Sequence, residues 1–198
     1  SATGSTRMGK SIGVTVAERF GKSILELGGN NAVIISETAD LKKVLPAIVF
    51  GAVGTAGQRC TSTRRLIIHE SKYAEVRQVM QKAYGQLRIG NPLDQQNHVG
   101  PLIDRHAVEI YLKALEQIKV QGGRMLVEGG VIEGAEYSSG CYVRPCIAEV
   151  QADMKIVHEE TFAPILYLMT YQTLEEAITI QNNVPQGLSS AIMTESLR

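Results

Sequence analysis

Short apolar runs and longer stretches of helical periodicity alternate along this chain. Ala32-Val33-Ile34-Ile35 and Leu66-Ile67-Ile68 are unbroken enough to be strands buried on both faces. Ahead of them, a small glycine-containing turn, Ser1 to Thr6, leads into a helical pattern from Arg7 to Phe20 that Gly21 closes. Asp40 is placed as an N-cap, after which Leu41, Val44, Leu45, Ile48, Val49 and Ala52 recur at helical spacing. Pro46 falls inside that pattern and predicts a kink or an irregular first turn. A glycine-rich passage, Gly51 to Gly57, then reaches Gln58-Arg59-Cys60. Val76, Val79, Met80, Ala83 and Leu87 mark another amphipathic helix, stopped by Gly90-Asn91-Pro92. The clearest helix runs from Asp104 to Val120, with Ala107, Val108, Tyr111, Leu112, Leu115 and Ile118 on one face. Further strands are predicted at Met125-Leu126-Val127 and Tyr142-Val143, around a glycine-rich hairpin or loop, and at Ile165 to Met169 and Ser189 to Met193. A short helix over Leu174 to Gln181 separates the last two. Strands alternating with helices predict an α/β fold with a mostly parallel sheet and helices on both faces.

Composition narrows the partners. Twenty Lys+Arg balance 20 Asp+Glu over 198 residues, so the basic surplus that a nucleic-acid or anionic-membrane partner selects is missing. No apolar run approaches the roughly 18 residues of a membrane span. Three cysteines at irregular spacing do not form a disulfide framework, which fits a reducing compartment and gives a cytoplasmic expectation. The chain opens on Ser1 rather than Met, so its ends are expected to be cut points, with any targeting signal lying upstream.

Four segments carry chemistry. Gly4-Ser5-Thr6-Arg7-Met8-Gly9-Lys10-Ser11 satisfies the phosphate-loop pattern G-x-x-x-x-G-K-[ST], yet only three residues precede it, too few for the strand that normally feeds such a loop. A milder reading is a turn that opens a helix and receives a dinucleotide pyrophosphate. In Leu25-Glu26-Leu27-Gly28-Gly29-Asn30, a carboxylate between two leucines is expected to be partly desolvated, as a general base requires; the alternative is a glutamate at a helix-to-strand junction. In Gly57-Gln58-Arg59-Cys60-Thr61-Ser62, a cysteine after a glycine-rich turn and beside a cation has the setting of a nucleophile, against the alternative of a buried structural thiol. That alternative is the better reading of Cys141 and Cys146. In His158-Glu159-Glu160-Thr161-Phe162-Ala163-Pro164, an acidic pair precedes an aromatic ring and a proline-fixed turn, a combination suited to sugar hydroxyls and a flat heterocycle, or else an ordinary loop. His69, His98, His106 and His158 are dispersed, and no metal site is expected.

In their order and spacing, these segments resemble the aldehyde dehydrogenase superfamily over essentially the whole chain. Cys60 follows Glu26 by 34 residues, the separation the family places between its base and its nucleophile. The resemblance implies a three-layer α/β/α catalytic domain over residues 27–198 and a remnant of a Rossmann-like cofactor domain over residues 1–26. It implies NAD, with NADP as the alternative, and oxidation of a small-molecule aldehyde to a carboxylate through a Cys60 thiohemiacetal and thioester. Cys60 is then the nucleophile and contributes its backbone N–H to the oxyanion hole, while Glu26 activates the hydrolytic water. Gly4, Ser5, Gly9, Leu27, Glu160 and Phe162 become cofactor contacts: Ser5 at the pyrophosphate, Glu160 at the nicotinamide ribose, Phe162 near the nicotinamide. A homodimer or homotetramer is implied for the full-length protein.

Finer features are similar to one branch, the antiquitin-type α-aminoadipic semialdehyde (piperideine-6-carboxylate) dehydrogenases of lysine catabolism. They are Gly28-Gly29-Asn30-Asn31, the run Gly54 to Thr61, and Phe162-Ala163-Pro164. Arg59 and Thr61 flank the nucleophile as candidate substrate contacts, and an arginine there is suited to the carboxylate of an amino-acid semialdehyde, or to a structural ion pair. Family members are more than twice this length, so the segment alone is expected to be inactive. Two other readings stay open on the sequence: a phosphate-loop nucleotidase or kinase, and a non-catalytic module of the same fold.

Overall fold

The computed structural model describes residues 1–196. A two-residue strand, β1 (Ala2–Thr3), precedes helix α1 (Thr6–Glu18) and pairs in parallel with β2 (Leu25–Glu26), forming a small sheet of its own. The main sheet begins with β3 (Asn31–Ile35), continues through α2 (Leu41–Val53) to β4 (Thr63–His69), and is followed by α3 (Glu70–Gly85) and α4 (Arg105–Val120). Then come β5 (Arg124–Val127), a β6 (Gly130–Val131) and β7 (Val143–Arg144) pair, β8 (Cys146–Glu149), β9 (Ile165–Tyr171), α5 (Leu174–Asn182) and β10 (Ser190–Met193).

Six strands form that sheet in the order β10-β3-β4-β9-β8-β5, all parallel except β5, which runs antiparallel to β8 at one edge. The crossover through α2 steps from β3 to β4 and the one through α5 steps back from β9 to β10. Right-handed crossovers in opposite directions place their helices on opposite faces, giving three layers. The central strands are therefore buried on both sides: Ile35, Leu66, Ile67, Ile68, Ile147, Leu166 and Leu168 are fully enclosed.

Side-chain caps act where the pattern places them. The Asp104 carboxylate accepts from the Ala107 amide at 2.8 Å and that of Asp40 from the Lys42 amide at 3.1 Å. Other expectations are corrected. Helix α2 runs unbroken across Pro46, which lies on the exposed face, so the Lys42 carbonyl that loses its helical donor is left on the solvent side and not in the core. The same helix continues through Gly51 to Val53, so the first three residues of the glycine-rich passage are helical. Helix α3 ends at Gly85, short of Leu87. Strand β8 is absent from the sequence reading because Pro145 splits the apolar run; the residues before it join β6, those after it the main sheet.

The core contains acids whose ionisation burial opposes. Burial pushes the Cys146 thiol from 9.0 up to about 12 and raises the phenols of Tyr84, Tyr111 and Tyr167 well above their ordinary value. A raised native pKa means that the unfolded chain releases its proton first, so the stability held below the unfolded pKa is lost as pH rises. The complete protein is expected to lose stability from about pH 9 as the thiol contributes and more steeply above pH 10 as the phenols do, each group by up to about 1.4 kcal/mol per pH unit. Arg64 and Arg65, whose pKa values burial lowers, act in the opposite sense above pH 10 but are outnumbered. Urea midpoints from pH 8 to 11 measure this, and a Cys146→Ala variant should delay the onset toward pH 10. A flat profile across that range would contradict the account.

Candidate active site

Cys60 lies at the tip of the turn between α2 and β4, and the local sequence explains its exposure. After α2, Thr55, Ala56 and Gly57 take successive left-handed conformations with φ of 55°, 52° and 68°, which reverse the chain sharply. Gly57 is required twice over, since a Cβ there would lie 2.5 Å from the Ala163 carbonyl oxygen. The turn is then pinned from beneath: the Asn31 amide donates to the carbonyls of Cys60 at 2.7 Å and Ser62 at 2.9 Å, and the Ser62 hydroxyl accepts from the Arg59 amide at 3.1 Å. The thiol is exposed, as is Thr61 beside it. The Cys60 backbone N–H donates to no acceptor among the described residues.

Three distant segments meet this turn. Gly29 packs so closely that a Cβ there would fall 2.6 Å from the Cys60 carbonyl oxygen, while a Cβ on Gly28 would lie 2.0 Å from Glu160 Oε2. The Gly29 amide donates to Glu160 Oε1 at 3.0 Å. Phe162, exposed, presents its ring 5.2 Å from the buried guanidinium of Arg64. Leu27 continues toward α1, where a Cβ on Gly9 would meet its side chain at 2.6 Å. Gly4 donates its amide to the Glu26 carbonyl at 2.9 Å, and the Ser5 hydroxyl caps α1 by accepting from the Met8 amide at 3.2 Å.

Two expectations change here. Glu26 is exposed, not desolvated, because it lies in strand β2, where neighbours point to opposite sides: Leu25 and Leu27 turn inward and Glu26 outward. It therefore sits in a strand rather than at a helix-to-strand junction. The phosphate-loop reading of Gly4 to Ser11 fails, although a two-residue strand does precede Gly4. Helix α1 already starts at Thr6, so Gly9, Lys10 and Ser11 lie inside it, and the Gly9 amide that would cradle a phosphate donates to the Ser5 carbonyl at 2.9 Å.

Arg59 makes no ion pair among the described residues. It folds back over Phe50, its guanidinium 5.1 Å from the ring and Nη2 donating to the Phe50 carbonyl at 3.4 Å, while its Nε finds no acceptor. Both residues border an apolar groove of about 810 Å³ between α2 and α3. Sequence reading missed Arg64, Arg65 and Asn31, which hold the site together. The available signal was a pair of arginines, Thr63-Arg64-Arg65-Leu66, directly abutting a buried apolar run. Arg65 donates to the Asn30, Ile180 and Gln181 carbonyls at 2.9–3.0 Å, which also satisfies the C-terminal end of α5. Among the described residues, no three His, Cys, Asp or Glu side chains cluster as metal ligands.

A mostly parallel α/β/α layer carrying an exposed-cysteine turn, a glycine turn and a Glu-x-Phe loop defines the class. The chain belongs to the aldehyde dehydrogenase family, whose sequence model matches residues 1–198. It is 50% identical over 195 residues to aldehyde dehydrogenase family 7 member A1 of Pisum sativum, covering 98% of this chain and 38% of that protein. It is also 50% identical over 198 residues to α-aminoadipic semialdehyde dehydrogenase of Mus musculus, covering all of this chain and 36% of that one. The chain thus spans little more than a third of these relatives. Betaine aldehyde dehydrogenase of Staphylococcus aureus, solved with NAD+, superposes with a TM-score of 0.94 at 26% identity over 98% of this chain and 39% of its own.

Proposed function

We propose that the complete protein oxidises an aldehyde to a carboxylate with a nicotinamide cofactor, NAD or alternatively NADP, and that this chain supplies the nucleophile, the base and part of the cofactor site. The observation that carries this is the Cys60 turn: an exposed thiol above an uncommitted backbone N–H, packed onto the Gly28-Gly29 turn and Glu160. The residues fit a dinucleotide. The absent side chain of Gly28 leaves room for the Glu160 carboxylate, Glu160 Oε2 has no hydrogen-bond partner among the described residues, Phe162 lies exposed two residues on, and Ser5 opens a 13-residue helix. Glu160 would accept from the nicotinamide ribose and Ser5 would meet the pyrophosphate at the positive end of α1, with Phe162 beside the nicotinamide and Gly4, Gly9 and Leu27 shaping the turn. We assign residues 1–26 to the edge of the cofactor domain and 27–198 to the catalytic domain.

The Cys60 thiolate attacks the aldehyde carbon, and the resulting oxyanion is held by its own backbone N–H. When bound, the cofactor supplies the hydride acceptor. Loss of hydride from the thiohemiacetal carbon leaves a thioester on Cys60. Glu26 takes a proton from water, the hydroxide adds to the thioester carbonyl, and the tetrahedral adduct expels the Cys60 thiolate, the carboxylic acid formed giving its proton to solvent as it leaves as carboxylate. The exposure of Glu26 suits a residue that must reach water.

The semialdehyde branch rests on Arg59, a cation next to the nucleophile with no carboxylate partner and an unused Nε among the described residues, together with the substrate in the name of the murine relative. A charge-assisted contact is worth about 1.5–3 kcal/mol, so kcat/KM for aminoadipic semialdehyde is expected to exceed that for hexanal by about 10- to 100-fold. An aldehyde panel with the full-length protein tests this. Equal values would remove the branch assignment and leave aldehyde oxidation standing. We assign the activity to the complete protein and expect the 198-residue segment alone to be inactive.

A further inference from the structure

Arg64 is one of two nearly enclosed arginines beside the site, 2% exposed, in a strand that continues from Arg65 into the aliphatic run Leu66 to Ile68. Every arm of its guanidinium is used. Nε donates to the Gly29 carbonyl at 3.4 Å. Nη1 donates to the Thr161 carbonyl at 2.7 Å and the Gly57 carbonyl at 3.2 Å. Nη2 donates to the Arg59 carbonyl at 3.1 Å and lies 3.5 Å from Glu160 Oε1. One side chain thus ties together the glycine turn after β2, the stretch from Gly57 to Arg59 that leads into Cys60, and the Glu160-Thr161 segment. An aliphatic residue would fill this place without the desolvation cost of a buried cation, whereas only the planar fork of arginine reaches all five acceptors. Burial pulls the Arg64 pKa down, and Glu160 is the leading influence that opposes it.

The nucleophile turn does not depend on Arg64 alone, because Asn31 and Ser62 pin it separately. The Glu160-Thr161 segment has fewer anchors here: Arg64 holds the Thr161 carbonyl, and the Glu160 carboxylate is held by Arg64 and the Gly29 amide. We propose that Arg64 is a positioning residue that touches neither substrate nor cofactor but fixes the Glu160-to-Phe162 segment, and so the cofactor it carries, relative to Cys60. The proposal rests on the dehydrogenase reading above and adds to it a separable expectation: losing the fork damages hydride transfer, not the reactivity of the cysteine.

The test is Arg64→Lys in the full-length protein, which keeps the charge and removes the fork. Aldehyde-dependent cofactor reduction should fall about 10-fold or more in kcat, with a several-fold rise in cofactor KM. Cofactor-free hydrolysis of p-nitrophenyl acetate, in which Cys60 displaces p-nitrophenolate and water then releases acetate, should stay within about threefold of wild type. A parallel loss of both activities would reduce Arg64 to a structural role and overturn the proposal, as would no loss in either. A second variant, Glu160→Asp, retains every carbonyl contact of Arg64 but withdraws the carboxylate; cofactor KM should rise by a similar factor with the thermal midpoint unchanged. An unaltered KM there refutes the proposal even where Arg64→Lys does not fold. Wild-type protein that hydrolyses the ester yet oxidises no aldehyde would instead bring down the underlying reading, and this inference with it.

Discussion

Replacing Cys60 by alanine in the complete protein is expected to abolish aldehyde-dependent cofactor reduction, by about 10⁴-fold or more, while leaving the fold intact. The size of the effect follows from chemistry: without the thiol no covalent intermediate forms, and hydride would have to leave an aldehyde hydrate that nothing holds in place. The neutrality toward stability follows from structure. The Cys60 side chain is exposed and makes no hydrogen bond among the described residues, and the turn is held through its carbonyl and through Ser62 and Asn31. The thermal midpoint should therefore move by no more than about 2 °C. Cys146 is the internal control. It is fully buried at the start of β8, beside Tyr111, so Cys146→Ala should lower stability and spare the chemistry. Steady-state rates and melting curves on the two variants separate these outcomes, and a Cys60→Ala protein that kept more than a small fraction of the rate would remove it as nucleophile.

Glu26→Gln should separate the two halves of the reaction. Glutamine preserves shape but cannot accept a proton from water, and general-base assistance is worth about 10²- to 10⁴-fold. Acylation of Cys60 makes no use of Glu26, so rapid mixing of variant, aldehyde and cofactor should show a burst of about one equivalent of reduced cofactor per site, followed by turnover slowed by about that factor. Glu26 carries no side-chain hydrogen bond among the described residues and is exposed in a two-residue strand, so loss of turnover would not be a folding defect. Steady turnover at the wild-type rate would place the base elsewhere. Absence of a burst together with absence of turnover would mean that Glu26 also acts before the thioester forms.

Much of the fold was legible because its signals are local. Apolar runs of four or five residues marked β3 and β9, and Asp40 and Asp104 marked helix starts by a hydrogen bond that spans only two or three residues. The misses have physical causes. Strands β1 and β2 are two residues long and exist only because they pair with each other across α1, and β8 is hidden behind Pro145. The desolvation expected of Glu26 assumed that flanking leucines surround a residue, which the alternation of a strand prevents. The phosphate-loop pattern matched every defined position yet depends on where the helix begins, and a start at Thr6 instead of after Gly9 removes the free amides.

The sequence by itself determined the layered α/β architecture and membership of the aldehyde dehydrogenase family, since periodicity, caps and motif order are read along the chain. Only the tertiary structure decided what holds the Cys60 turn in place. Gly29 and Glu160 are 131 positions apart and Arg64 and Thr161 are 97 apart, yet each pair is joined by a hydrogen bond. Two adjacent arginines read as polar punctuation in one dimension. Packed in the sheet beneath the site, their charge is affordable only because backbone carbonyls from several loops converge on it. That convergence is set by the order of strands in the sheet, which no local pattern encodes.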